Sequence, residues 1–149
     1  MIERLLIAGV LVSLGVVGWI VFNRLSVRRV AQRAPADPLL ATLQDGVPAI
    51  VYFTTPFCEP CRTLQKPALN ALQRELGPSI QVIQVDASEQ PDAADRWGVF
   101  SAPTTFVLDG EHKPRQVNRG VASVETLKKQ LEAIAEPSAT LGALMAQKE

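Results

Sequence analysis

The longest apolar stretch of the chain shows neither alternation nor an amphipathic face. From Leu5 to Phe22 it reads LLIAGVLVSLGVVGWIVF, 18 residues without a charge. As a helix at about 1.5 Å per residue, this run spans roughly 27 Å, close to the ~30 Å of a hydrocarbon core. Trp19 lies near one end, where interfacial aromatics gather. The pattern predicts a transmembrane anchor over residues 1–23. A cleaved signal peptide is the competing reading, but its apolar region is normally shorter and is followed by small residues. Here Asn23-Arg24 and three further Arg follow. Gly9 and Ser13 have small-xxx-small spacing, a weak signal for helix pairing.

Beyond the anchor the pattern breaks into short elements. Residues 24–36 read as an Arg-rich juxtamembrane linker that ends in Pro35, ahead of Pro38. Asp37-Pro38 supplies an N-cap and first position for a short helix to Leu43, closed by Gly46. Ala49 to Thr54 is an apolar run of strand length. From Glu59 to Leu76, the positions Leu64, Ala68, Ala71, Leu72 and Leu76 have helical spacing. Pro67 is expected to kink that helix because it lacks an N–H for the carbonyl four residues back.

Ile80, Val82 and Val85 mark a second strand ending at Asp86, and Glu89 to Trp97 a short helix with Pro91 in its first turn. Thr104 to Leu108 is a third strand. Asp109-Gly110 turns the chain into a fourth around Arg115 to Asn118. Val124, Leu127, Leu131 and Ile134 form the stripe of a closing helix, with Pro137 expected to end it and 137–149 left as a tail. A parallel first half followed by a hairpin predicts an α/β fold, a mixed sheet flanked by helices, within residues 37–136.

Charge divides the chain unevenly. Before Asp37 five Arg face Glu3 alone, whereas from Asp37 onward ten basic residues face fourteen acidic ones. An acidic domain has no clustered cations for nucleic-acid phosphates, so no nucleic-acid partner is expected. The Arg-rich flank after the apolar run places the domain on the cytoplasmic side by the positive-inside rule, with an extracytoplasmic domain as the alternative. Cysteine usage does not choose between them, since a catalytic pair is tolerated in either compartment.

Cys58-Glu59-Pro60-Cys61 holds the only two cysteines. Structural zinc usually takes four thiolate or imidazole ligands, and His112 alone is left to join the pair, so no metal is expected. An inert staple across two residues would remove little chain entropy. The favoured reading is redox. A helix N-terminus offers unpaired N–H groups and the positive end of the dipole, both of which favour a thiolate. A second thiol one turn away then resolves the mixed disulfide formed by the first.

With the strand-to-helix run YFTTPFCEPCR, the later Ala102-Pro103-Thr104 and Gly120 after the hairpin, the chain resembles the thioredoxin family over about Val47 to Ala135. The resemblance implies that Cys58 attacks and Cys61 resolves. Pro103 matches the family's cis-proline, which packs opposite the disulfide, with Ala102 and Thr104 completing a small peptide-binding ledge. Phe57 stands where Trp is common and offers an apolar contact surface.

Two positions depart from the family. Tyr52 occupies the place of a buried Asp that moves protons, and Val82 that of its companion Lys. A phenol with an ordinary pKa near 10 is a poor base at neutral pH, which leaves water or Glu59 to deprotonate Cys61. Glu59 also puts a negative charge beside the Cys58 thiolate, and with Pro60 this favours a reducing protein. Pro67 falls one position later than the family's helix proline. The expectation is a membrane-anchored thiol–disulfide oxidoreductase without a bound cofactor, exchanging electrons with protein disulfides or dithiols and an upstream donor. An outward-facing reductant or isomerase, for instance one serving apocytochrome thiols, is one alternative. A non-enzymatic binding module on the same fold is another. Trp97 and Tyr52 are expected in the core, and His112 in a solvated turn.

Overall fold

A computed structural model describes residues 2–33 and 37–146. The chain opens with a 32-residue helix, α1, Ile2–Arg33. The linker expected after residue 23 is therefore helical as far as Arg33, and 34–36 lie outside the described residues. Ile7, Val10, Leu11, Leu14, Trp19 and their neighbours in α1 are exposed. Among the described residues, no helix is long and apolar enough to cross a membrane. The expected span takes in Leu5 and Leu6, whose side chains lie outside that description.

Asp37 caps a short 3-10 turn, Pro38–Leu40, accepting the Leu39 N–H; the helix expected there stops well before Leu43. The strands are β1 (Ala49–Thr54), β2 (Gln81–Asp86), β3 (Thr104–Leu108) and β4 (Pro114–Arg119). They form one mixed sheet in the order β2-β1-β3-β4. β1 pairs parallel with β2 and antiparallel with β3, which pairs antiparallel with β4. β1 and β3 are buried along their whole length, as befits central strands covered on both faces, with Thr54, Thr104 and Thr105 the polar residues among them.

Each face carries its own core. On one, Val51, Phe53, Phe106 and Val117 meet Leu40 and Trp97 beside α3, Pro91–Arg96. Trp97 and Phe53 pack with ring centroids 5.9 Å apart, and Trp97 and Phe106 at 5.0 Å. On the other, Ile50, Tyr52 and Val107 meet Leu69 and Leu72 of α2 (Lys66–Leu76) and Leu127 and Leu131 of α4 (Val124–Ala146). Both cysteines belong to this second core.

Three expectations need correction. α4 does not stop at Pro137 but runs on to Ala146. A helix interior absorbs a proline as a local kink when its neighbours hold the axis. The segment that opens the CxxC helix is not regular: Cys61–Gln65 is a π turn, and α2 begins only at Lys66. The wider turn rotates the buried face, so Gln65, Leu69 and Leu72 point inward while Leu64 and Ala71 are exposed. It also accounts for the late position of Pro67, since a π turn holds one extra residue.

His112, finally, is not solvated. It takes a positive φ of 59° in the β3–β4 hairpin and is buried, with Nε2 3.1 Å from the Gln44 carbonyl oxygen. Beside it, Gly46 N–H donates to the Gly110 carbonyl at 2.9 Å. The approach is so close that a Cβ on Gly110 would lie 3.0 Å from Gly46 O. These contacts tie the segment before β1 to the hairpin end of the sheet.

Candidate active site

β1 delivers the chain to Thr55, turns it at Pro56-Phe57, and starts a helical segment at Glu59. Cys58 sits at that start, its N–H bonded to Thr55 O at 3.2 Å. Cys58 and Cys61 are joined in a disulfide with Cα atoms 5.2 Å apart. Cys61 is 1% exposed and Cys58 9%. Cys58 is therefore the more accessible cysteine of the pair. The Cys61 N–H also donates to the Cys58 sulfur at 3.3 Å. In the dithiol form this donor is placed to hold a Cys58 thiolate, with the helix N-terminus adding its partial positive charge.

Glu59 and Pro60 are exposed between the cysteines, and Phe57 before them is 96% exposed. Glu59 engages the protein through its carbonyl, which accepts from Thr63 Oγ1 at 2.9 Å. The Ala102–Pro103 peptide is cis. Ala102 packs against the same core as the two cysteines. The ledge is fixed on both sides: Gly120 N–H donates to Pro103 O at 2.8 Å, and Thr104 Oγ1 donates to Ser101 O at 2.7 Å. The sheet thus brings Cys58, Cys61, Ala102, Pro103 and Thr104 to one end.

Tyr52 lies under the pair, 2% exposed, and its hydroxyl donates to the Cys61 carbonyl at 3.2 Å. Burial pushes its phenol above the ordinary value, so it remains a donor throughout the physiological range and does not serve as a base. That carbonyl also accepts the Lys66 N–H, the bond that closes the π turn. Tyr52 therefore braces the backbone of Cys61. Sequence reasoning missed Gln65, which is fully buried and bonded to the Ala122 backbone just after β4. Its signal was present: Gln65 stands four residues before Leu69 and seven before Leu72, in phase with the buried stripe.

The thioredoxin family model matches residues 38–133. A thioredoxin of Bacillus subtilis is 36% identical over 80 residues, covering 53% of this chain and 75% of its own. Thioredoxin 1 of Nostoc is 32% identical over 92 residues, covering 60% and 85%. Thioredoxin M4 of Arabidopsis thaliana, a chloroplast protein, is 31% identical, and the match spans 46% of its length. Among solved structures, Fasciola hepatica thioredoxin superposes with a TM-score of 0.54 at 26% identity, over 60% of this chain and 83% of that one. Fold and site define a thiol–disulfide oxidoreductase with a CxxC pair. The chain belongs to the thioredoxin family.

Proposed function

We propose that this chain is a protein disulfide reductase held at a membrane by α1. The observation that carries the chemistry is Cys58 at a helix start, receiving the Cys61 N–H and lying beside the cis Ala102–Pro103 ledge. In the reduced protein the Cys58 thiolate attacks a substrate disulfide, and one substrate sulfur leaves as a thiol after taking a proton. Cys61 then loses its proton, attacks Cys58 Sγ and releases the second substrate thiol. Two electrons pass to the substrate, and the Cys58–Cys61 disulfide waits for an upstream dithiol donor. The negative charge of Glu59 beside Cys58 favours the reducing direction, because it disfavours the stable thiolate on which oxidants of this chemistry depend.

The anchor is supported by the charge-free run Leu5 to Phe22 and by the exposed apolar side chains along α1. Arg24, Arg28, Arg29 and Arg33 favour a cytoplasmic domain. The test is direct. The full chain should stay with membranes after a carbonate wash and should reduce insulin disulfides with dithiothreitol as donor, while labelling with an impermeant thiol reagent in intact cells reports the compartment. Release by the wash would remove the anchor from the reading; failure to reduce insulin would remove the reductase.

A further inference from the structure

We propose that the redox end of the sheet lies against the bilayer surface, so that this site takes disulfides presented at headgroup depth. The inference rests on the anchored reading above and adds an orientation to it. Register fixes which features share an end: Phe53 of β1 lies opposite Thr104 of β3, and Thr104 opposite Arg119 of β4. The disulfide follows β1, Phe100 and the Ala102–Pro103 ledge precede β3, and Val121 follows β4. All of them gather at one edge.

The anchor meets the domain at the same edge. α1 contacts β4, and the Arg119 guanidinium lies over the Phe22 ring, 5.7 Å from its centroid. Phe22 is the last residue of the apolar run, with Asn23-Arg24 after it. It therefore marks the boundary of the hydrocarbon, and Arg119 above it falls at the depth where long cations reach the headgroups. On the other side of Phe22 the chain leads to Gln44 and Gly46, which bond His112 and Gly110 at the opposite, hairpin end. The boundary of the apolar run is thereby placed at the redox end.

Exposed apolar side chains supply an independent observation. Among the described residues outside α1, the exposed large hydrophobics are Phe57, Leu64, Phe100 and Val121. Phe57 and Phe100 are 96% and 84% exposed; Phe57 immediately precedes Cys58, and Phe100 stands two residues before Ala102. Aromatic rings concentrate at membrane–water interfaces, where an apolar body and a wet surround are both satisfied. An interfacial layer at this edge covers Phe57, Phe100 and Val121, and Phe22 at the end of the apolar run already meets the edge beside Arg119. Glu59 remains at the same end as a charge that headgroup water solvates.

Tryptophan fluorescence in vesicles separates the orientation from the anchor. The full chain is reconstituted in phosphatidylcholine vesicles, and in matched vesicles whose acyl chains are brominated near the headgroup. Trp19 reports the anchor, and Trp97, at 1% exposure, gives a constant core background. Phe57→Trp and Phe100→Trp, each in a Trp19→Phe background, report the redox edge. The expected result is a loss of fluorescence on brominated lipid for both variants, beyond that of Trp19→Phe alone.

Loss from Trp19 in the native chain with none from positions 57 and 100 would leave the anchor standing and overturn the orientation; the two Phe would then be a surface for protein substrates. No loss from Trp19 would sink the anchor and the proposal with it. A second arm reads the substrate class, using a lipid-linked peptide disulfide on a short or a long spacer. Reduction at similar rates on both is expected, whereas activity confined to the long spacer would place the dithiol away from the surface.

Discussion

Gln65 clamps Ala122 at both polar atoms of its backbone: its Oε1 accepts the Ala122 N–H at 2.8 Å and its Nε2 donates to the Ala122 carbonyl at 3.2 Å. A side chain in the π turn after Cys61 thereby pairs with the loop that follows the ledge-bonding Gly120. Replacing it removes two hydrogen bonds and strands two buried backbone groups. At about 1–3 kcal/mol for each unsatisfied group, Gln65→Leu should cost roughly 2–6 kcal/mol although it adds apolar volume. Thermal unfolding of the full chain in detergent, followed by Trp97 near-ultraviolet dichroism, checks it. A melting temperature equal to the native one would show that the clamp contributes nothing.

Burial orders the two cysteines. Cys61→Ser should trap covalent mixed disulfides through Cys58 that dithiothreitol reverses, whereas Cys58→Ser, with Cys61 at 1% exposure, should trap few. Non-reducing gels of both variants give the comparison. Equal trapping would contradict the division of labour.

The central strands and the cysteine pair were legible because their signals are local. β1 is an apolar run closed by Thr54, β3 joins two Thr to Phe106-Val107-Leu108, and both begin and end where the sequence places them. The CxxC, the proline of the ledge and the Asp37 cap carry their meaning within a few residues. What was misread needed tertiary information. A fixed 3.6-residue period chose Leu64 and Ala71, while the π turn puts Gln65 and Leu69 inward. His112 is buried by a segment 68 residues away in sequence, and no local pattern announces that contact. Pro137 suggests a stop because it lacks an N–H and its ring crowds the preceding turn, yet α4 continues past it to Ala146.

Asp37 gives the domain an acid-sensitive tie. Burial alone would raise its carboxyl, but the Arg96 hydrogen bond, the Leu39 N–H, the Trp97 indole and the Arg96 charge together hold it below the usual carboxylate range. The Arg96 and Trp97 bonds are both 3.0 Å to Oδ2. A depressed folded pKa stabilises fully above the unfolded value, near 3.9, and that contribution disappears as pH falls through the lower folded value. Asp37→Asn should be about 1–3 kcal/mol less stable at pH 7, and the gap should close below about pH 4. Melting curves of both proteins from pH 7 to pH 3 test this. A gap independent of pH would place the effect in packing rather than charge.

Tyr52 positions Cys61 without taking its proton. Tyr52→Phe leaves the Cys61 carbonyl with the Lys66 N–H alone and should cost about 1 kcal/mol. Tyr52→Asp puts a carboxylate at the base of the space the ring filled, beneath the pair. It should accelerate resolution of a preformed mixed disulfide near neutral pH, at a further cost in stability for burying the polar group. Stopped-flow release of a chromophoric thiol measures the step. An unchanged rate in a folded Tyr52→Asp protein would show that proton loss from Cys61 does not limit resolution.

Glu59 tests the reducing assignment. Its residue is exposed between the two cysteines, and Glu59→Gly removes the only charge inside the motif. The Cys58 thiolate should then be more stable, and a more stable reduced form means a higher reduction potential. For this two-electron couple about 30 mV corresponds to ~1.4 kcal/mol, so even a small electrostatic change is resolved by equilibration with glutathione. Screening supplies the internal control, since the difference between native and variant proteins should shrink from low to moderate salt. A potential that does not rise at either ionic strength would mean that the carboxylate exerts its field in solvent rather than on Cys58. The reducing bias would then lose its electrostatic basis, leaving only Pro60, whose ring carries no charge with which to act on the thiolate.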